Sequence, residues 1–585
     1  MTGGLLNLVS QGNQNIILNG NPKKTFFKTS FQKFTNFGLQ KYRIDFNGTN
    51  ELQLNQDSKF TFKIPRYGDL LMDTYVVITL PDIWSPLYKK TLGGSNYIWI
   101  GHDFKWIKNL GNMMIKEIEI TIGGQTIQKY SGSYLQSIKE RDGKNKNLHD
   151  QMTGNVDSLN DPANSYYGNS NTHDVSFNYV YSNNLSTQAR VSTSANDSIR
   201  SSALNYPNAI PVDTNGSEIE PSIRGRKLYI PISSWFSNDS KMSLPLVSLQ
   251  YSEVHINVTF RPIADMFVVR DVTDMSNNFP YKKPNFNTSE NQIWRYLQEP
   301  KTTSNTDYDV IEENYNENIT RWNSDIHIIS TYCFLSDEER RVFAVRDQEY
   351  LIKEVHEHSY KNITGSNKVS IESGGLVSDF MFYFQRTDIN ERNEWFNLSN
   401  WSYEDIPEQS TSLIPHNSML QFAYHKIDGL DISNNLLYTN TRTSNNKKEI
   451  LENLAIICDG KYREESMDVG IFNYIEKYSH TSSDAKNGFY CYSFGINSDY
   501  NDDYQPSGAI NLSKFSKIEI EFKTIQPPLD PSNVVFTTIC DEDGNIIGIN
   551  KPSHSIYKHN YDLTVFEERY NILKVISGSA ALQWA

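Results

Sequence analysis

Residues 488 to 524 read GFYCYSFGINSDYNDDYQPSGAINLSKFSKIEIEFKT. The stretch opens on an aromatic run, Phe489-Tyr490-Cys491-Tyr492-Ser493-Phe494. It closes on strict alternation, with Ile518, Ile520 and Phe522 facing one way and Lys517, Glu519, Glu521 and Lys523 the other. A period of two is the mark of a half-buried antiparallel strand. Between the two runs lie a polar acidic turn and Gln505-Pro506-Ser507-Gly508, a turn signal. On pattern alone the stretch is a long hairpin of a β-sandwich.

The same alternation recurs along the chain. Phe60, Phe62 and Ile64 alternate ahead of Pro65, and Tyr75 to Leu80 follows as a more buried strand. Ile118, Ile120 and Ile122 alternate with Glu117, Glu119 and Thr121, and Gly123-Gly124 makes a two-residue hairpin turn. Ile256, Val258 and Phe260 oppose His255, Asn257 and Thr259. Further strands are expected at Thr25 to Lys28, Tyr332 to Leu335, Ser378 to Arg386 and Ile456 to Cys458. Ser336-Asp337-Glu338-Glu339 reads as a helix cap with acids in the first turn, opening a short helix.

Arg141 to Arg224 and Asp271 to Asp325 are polar and poor in apolar residues. The first is expected as a long surface insertion, the second as a bridge between two halves, anchored by Trp294 and Trp322. A third polar stretch runs on to Glu449. The chain has 585 residues, enough for two long-looped sandwiches. Its net charge is −14 with no Lys/Arg-rich run, which argues against a direct nucleic-acid surface.

Cys333, Cys458, Cys491 and Cys540 are too sparse for a disulfide framework and form no CxxC. They read as free thiols, mostly buried, in a reducing compartment. The N-terminus has no basic start followed by an apolar core, so no signal peptide is read there. No apolar run approaches a membrane span.

Three places could carry chemistry. Arg66-Tyr67-Gly68-Asp69 could be a catalytic loop, but no His or Ser partner is patterned nearby, so a satisfied turn charge is the expectation. Gly123-Gly124 is followed by neither a helix signal nor Lys-Ser/Thr, so it is not a phosphate loop. His356-Glu357-His358 could begin a metal set, but Ser359 to Gly365 supplies no Glu. No catalytic, cofactor-binding or metal residue is therefore assigned.

Several motifs occur in one order. They are Leu18 to Pro22 with Thr25 to Lys28, then IEITIGGQTIQKYSGSYL at 118–135, then Leu249-Gln250-Tyr251-Ser252-Glu253-Val254. Glu339-Arg340-Arg341-x-Phe343-Ala344 and the YxYSF–QPSG–NLS series at 490–513 follow, then Tyr570-Asn571-x-Leu573 with Ser577-Gly578. Together they resemble the major capsid proteins of nucleocytoplasmic large DNA viruses. The sequence departs from that pattern at Ser252 and Gln348, where His is frequent.

The resemblance implies an all-β chain of two consecutive eight-stranded jelly rolls with long surface loops and few short helices. It divides the chain into an N-terminal arm (1–24), a first roll (25–269), a linker (270–329) and a second roll (330–585). It implies a structural protein with no enzymatic role, three copies of which make a pseudo-hexagonal capsomer of an icosahedral shell. A minor capsomer or spike component of the same fold is the alternative, with a jelly-roll carbohydrate-binding protein behind it.

The implied partners are two further copies, neighbouring capsomers, and minor capsid and penton proteins. The implied location is the virion, after assembly in the host cytoplasm. Asp142 to Glu220 and Asn397 to Glu449 are expected on the capsomer's outer face. Met1 to Gln14 is expected on the inner face, near an internal membrane.

Overall fold

The computed structural model describes the chain outside residues 1–2, 11, 30, 47, 49–50, 86, 94–95, 103, 144, 161–189, 193–220, 272–280, 299–317, 402–403, 405–447, 499–504, 527–536, 541–545, 551–558 and 585. Sixteen strands carry the architecture. The first eight are β1 (Phe37–Ile44), β2 (Ser58–Lys63), β3 (Leu70–Thr79), β4 (Ile115–Ile122), β5 (Gln125–Ser131), β6 (Lys227–Pro231), β7 (Val254–Phe260) and β8 (His327–Leu335). The second eight are β9 (Gln348–Ile363), β10 (Ser366–Ile371), β11 (Leu376–Arg386), β12 (Leu451–Cys458), β13 (Lys461–Asp468), β14 (Phe489–Ser493), β15 (Ile518–Thr524) and β16 (Tyr561–Ile576).

The two sets have one topology. Sheet I runs β1-β8-β3-β6 and sheet II runs β2-β7-β4-β5. Sheet III runs β9-β16-β11-β14 and sheet IV runs β10-β15-β12-β13. Within each set the strand order is thus first-eighth-third-sixth opposite second-seventh-fourth-fifth, with antiparallel pairing throughout. This is an eight-stranded jelly roll, made twice.

The alternating residues behave as their period demands. Phe60 and Phe62 from β2, Ile118, Ile120 and Ile122 from β4, and Ile256, Val258 and Phe260 from β7 are all buried in one core with Val76 and Ile78 of sheet I. Gly123 and Gly124 take φ of +60° and +85°, the two positive values a two-residue hairpin turn requires. In the second roll Ile518, Ile520 and Phe522 are buried against Phe380, Phe382 and Phe384 of β11.

Four expectations are corrected. The quoted stretch is not a hairpin: β14 lies in sheet III and β15 in sheet IV, so the chain crosses from one sheet of the sandwich to the other. Ser507 Oγ donates to Asn497 O at 2.6 Å at that crossing, and a Cβ on Gly508 would stand 2.8 Å from Gly495 Cα. Two glycine backbones in contact explain the PSG turn there.

Second, the strand expected to open the second half is the eighth strand of the first roll. β8 pairs with β1 from Phe37↔Leu335 to Ile44↔Ile328, and with β3 on its other side. The supposed linker is packed there as well: Ile293, Trp294 and Tyr296 are buried, and Trp322 Nε1 donates to Thr79 O at 2.9 Å.

Third, Thr25 to Lys28 is exposed non-strand chain, and pairing begins at Phe37. Fourth, the ends of two expected loops are buried. Thr153 and Leu159 lie in short helices at Lys146–Thr153 and Asp157–Asn160, and Asn397, Leu398 and Trp401 are also buried. The middles of both insertions lie outside the described residues. Cys333, Cys458 and Cys491 are free and buried, while the Cys540 side chain is outside the described set.

Candidate functional site: the junction of the two sandwiches

Around β11, sheet III is covered on both faces. Phe380, Phe382, Tyr490, Tyr492, Leu563 and Val565 point into the core shared with sheet IV. Their neighbours Met381, Tyr383, Phe489, Cys491 and Phe566 belong to the core that fills the first roll. β11 therefore loses its alternation and is buried at every position from Val377 to Arg386, as a sheet covered on both faces must be.

The element laid on that face is helix α1 (Gly132–Asp142), which follows β5 directly. Ser131 caps it, its Oγ accepting from Tyr134 N at 3.3 Å. Tyr134 stacks edge-on against Phe566, with ring centroids 5.6 Å apart. Its hydroxyl donates to Glu568 Oε1 at 2.9 Å. At the C-terminal end of α1, where the helix dipole favours a cation, Arg141 Nη2 donates to the same Glu568 oxygen at 3.0 Å.

Glu568 is the centre of a buried ion cluster that joins the rolls. Lys353 Nζ on β9 donates to Glu568 Oε2 at 3.0 Å, to Asp379 Oδ2 at 3.0 Å and to Ser498 O at 2.7 Å. Arg141 Nη2 also donates to Asp142 Oδ2 at 2.7 Å. Gln128 on β5 donates to Lys353 O at 2.8 Å, a second link from the first roll to the second.

Burial by itself pushes the Glu568 carboxyl up, but the charges of Arg141 and Lys353 outweigh it and hold it at about 2. Burial pulls Lys353 down, and Asp379 and Glu568 more than restore it, leaving it above the ordinary lysine value. Burial raises the Asp142 carboxyl beyond what Arg141 offsets, with the Glu568 charge adding to the rise.

A contact between unit charges near 3 Å is worth on the order of 5 kcal/mol at an effective dielectric of ~20. Desolvating each ion costs several kcal/mol, so the net contribution is small. The cluster's effect is geometric: it pairs its charges in one placement of α1 on sheet III. Perturbed carboxylates can mark catalysis, but structural ion networks perturb them too. Here each acid accepts from Arg141 or Lys353.

Gln128, Ser131 and Tyr134 fall inside the motif at 118–135, but none of the charged residues Arg141, Lys353, Asp379 and Glu568 was singled out by motif. A signal was present: Asp379 adjoins the apolar run Phe380 to Phe384, and Glu568 follows Leu563 to Phe566 in one strand. An acid in a strand buried on both faces requires a buried cation.

The Arg66 turn and the Gly123-Gly124 turn both lie against Ser252, while the β9 histidines lie beside Glu354 and Glu567. Arg66 donates to the carbonyls of Leu249, Gln250 and Ser252. Asp69 accepts from Leu335 N at 2.8 Å and from Arg340 Nε at 2.9 Å, tying β3 to the end of β8 and to helix α2 (Asp337–Val345). The RYGD segment is thus a satisfied turn. Asp69→Ala leaves the buried Leu335 N–H unpaired, with an expected cost of about 1–3 kcal/mol in urea unfolding. Arg340→Ala should cost less, since that side chain is half-exposed.

On β9, His358 Nε2 lies 3.1 Å from Glu567 Oε2, while His356 is 3.9 Å from Glu354. Arg569 Nε and Ser373 Oγ donate to the same Glu567. Among the described residues no group of His, Cys, Asp or Glu is placed to hold a metal ion. No helix among them is long and apolar enough to cross a membrane.

Known proteins share this architecture. The model of the major capsid protein N-terminus matches residues 25–298, and that of the large eukaryotic DNA virus major capsid protein matches 339–581. The chain is 23% identical to the major capsid protein of Phaeocystis pouchetii virus, over 100% of both chains. It is 22% identical to probable capsid protein 4 of Acanthamoeba polyphaga mimivirus, over 90% of this chain and 94% of that one. The structure superposes on the Faustovirus major capsid protein with a TM-score of 0.55 at 10% identity, covering 97% and 96% of the two chains.

The fold is that of a double jelly-roll capsid protein. The two family models between them span most of the chain. It belongs to the major capsid proteins of large eukaryotic DNA viruses.

Proposed function

We propose that the protein builds a viral shell and carries out no catalysis, and that its working unit is a homotrimer with a pseudo-hexagonal outline. The observation that carries this is the duplicated topology: two sandwiches of one strand order stand in one chain, locked by a buried junction. Three such chains under closed cyclic symmetry present six similar sandwiches around a ring, the outline an icosahedral lattice can tile. The natural division is then a roll over 37–335 and a roll over 348–582, with α2 between them and an arm ahead.

In the particle the capsomer would meet neighbouring capsomers and minor capsid and penton proteins, with its arm toward the interior. Assembly in the host cytoplasm fits the free thiols. A minor capsomer of the same fold is the second reading. Abundance separates the two, because the major protein dominates a stained gel of purified virions.

Light scattering of the purified chain tests the trimer. The expected result is a stable trimer at micromolar concentration, unchanged by reductant or EDTA, since packing over interfaces larger than ~2,000 Å² holds permanent assemblies. A persistent monomer, or a trimer lost on chelation, would show the reading wrong.

A further inference from the structure

The first acidic residue of this chain of net charge −14 is Asp45. Ahead of β1 stand Lys23, Lys24, Lys28 and Lys33, spaced too widely to read as a basic run. Interleaved with them are Phe26, Phe27, Phe31 and Phe34, which are 89%, 98%, 85% and 82% exposed. Upstream, a short helix at Gly3–Val9 exposes Leu5, Leu6 and Leu8, and Ile16, Ile17 and Leu18 are exposed after it.

The hydrogen bonds of this segment are local: Ser10 N to Leu6 O, Gly20 N to Ile16 O, Phe27 N to Thr25 Oγ1. The described apolar side chains of the arm are exposed and belong to neither core. Single exposed apolar residues are ordinary on a surface, but a continuous run of them marks an interaction site.

The composition indicates what covers it. A segment without acids, with lysines set among phenylalanines, suits an anionic surface. Nucleic acid would use the rings for base stacking, but leucine and isoleucine have no π face to offer. Aliphatic and aromatic side chains alike enter the boundary between lipid headgroups and acyl chains, while lysines snorkel to the headgroups. A second copy of this acidic chain would supply the charge but would also have to cover the whole apolar run.

We propose that residues 3–34 bind the surface of a bilayer containing anionic lipid, with the phenylalanines at the acyl boundary and the lysines among the headgroups. The position of this contact inside a particle rests on the reading of the protein as a shell subunit. The binding itself does not.

The test is flotation of the full-length protein with unilamellar vesicles, either phosphatidylcholine alone or phosphatidylcholine with about 30% phosphatidylserine. Each juxtamembrane lysine contributes roughly a fivefold gain in partitioning to an anionic surface. Wild type should float with the phosphatidylserine vesicles at least tenfold better than with phosphatidylcholine alone. The advantage should collapse between about 0.05 and 0.5 M salt, as the Debye length shortens.

Replacing the four lysines together (Lys23→Gln, Lys24→Gln, Lys28→Gln, Lys33→Gln) should remove the lipid preference. Phe26→Ser, Phe27→Ser, Phe31→Ser and Phe34→Ser together should lower flotation at least tenfold. Both variants should melt as wild type does, because the arm touches no core. A variant that fails to fold would overturn the proposal by showing that it does.

Equal flotation with both vesicle types, or none, would overturn it. So would arm-dependent binding to an oligothymidine strand, or arm-dependent self-association without vesicles, in the absence of the lipid preference. Light scattering separates the two readings: a monomer that binds phosphatidylserine vesicles sinks the trimer alone, and a trimer that ignores them sinks only the lipid contact.

Discussion

Glu568→Gln is expected to destabilise the protein by about 3–5 kcal/mol, the cost of stranding buried cations. Arg141 and Lys353 would both lose their shared carboxylate in a place from which water is excluded. Urea unfolding followed by intrinsic fluorescence measures this directly. A loss under about 1 kcal/mol would mean that the junction is wet. Replacing Arg141, Lys353 and Glu568 together with apolar residues of similar volume should recover much of the loss, since desolvation had already offset most of the attraction.

The pH dependence has a definite sign. Glu568 is held at about 2, below the ordinary carboxylate value of 4.5. Its contribution is therefore fully present above about pH 4.5 and is lost as pH falls through that range toward 2. Wild type should lose stability steeply over this window. Glu568→Gln should start lower and fall less, and parallel acid profiles for the two would remove Glu568 as the titrating group.

Gly132→Ala is expected to be at least as damaging. A Cβ at Gly132 would stand 2.1 Å from Asn112 O and 2.2 Å from Ile115 O. Both are backbone atoms, in the segment that leads into β4, so no side chain can swing aside. Either α1 lifts from that segment, disturbing the cluster at its far end, or β4 shifts in sheet II.

Single substitutions costing more than about 4 kcal/mol are exceptional, and a backbone clash under a buried helix is among their causes. Gly124→Ala is the control: its φ is +85°, but nothing lies within 4 Å of the added carbon. That change should cost only about 1 kcal/mol, the strain of a left-handed residue. Soluble yield and urea midpoint for the pair separate the effects. Equal values would show that the approach at Gly132 is not close.

Strand identity was legible because one face of a strand must be dry. Ile118, Ile120 and Ile122, or Ile518, Ile520 and Phe522, cannot alternate with charge in any other element that buries them so well. The Gly123-Gly124 turn was legible because it needs positive φ, which both glycines adopt. The family could be read from short motifs whose order spans the chain.

Pairing was not legible. TYCFLSDEERR reads continuously into the second half, yet its strand completes the first roll by joining Phe37–Ile44 across some 290 residues. A strand's own side chains specify which face is buried, not which backbone it bonds. The quoted stretch erred the same way: both of its strands were right, and the hairpin between them was not.

The sequence by itself determined the alternating strands, the all-β class and the absence of acids in the arm, because those depend on residue type and local period. Only the tertiary structure decided the membership of β8, the two-faced burial of β11 and the meeting of Arg141 with Glu568, 427 residues apart. Those are choices among many non-local contacts of similar local quality, and they are settled by which arrangement buries every apolar face and pairs every buried charge at once.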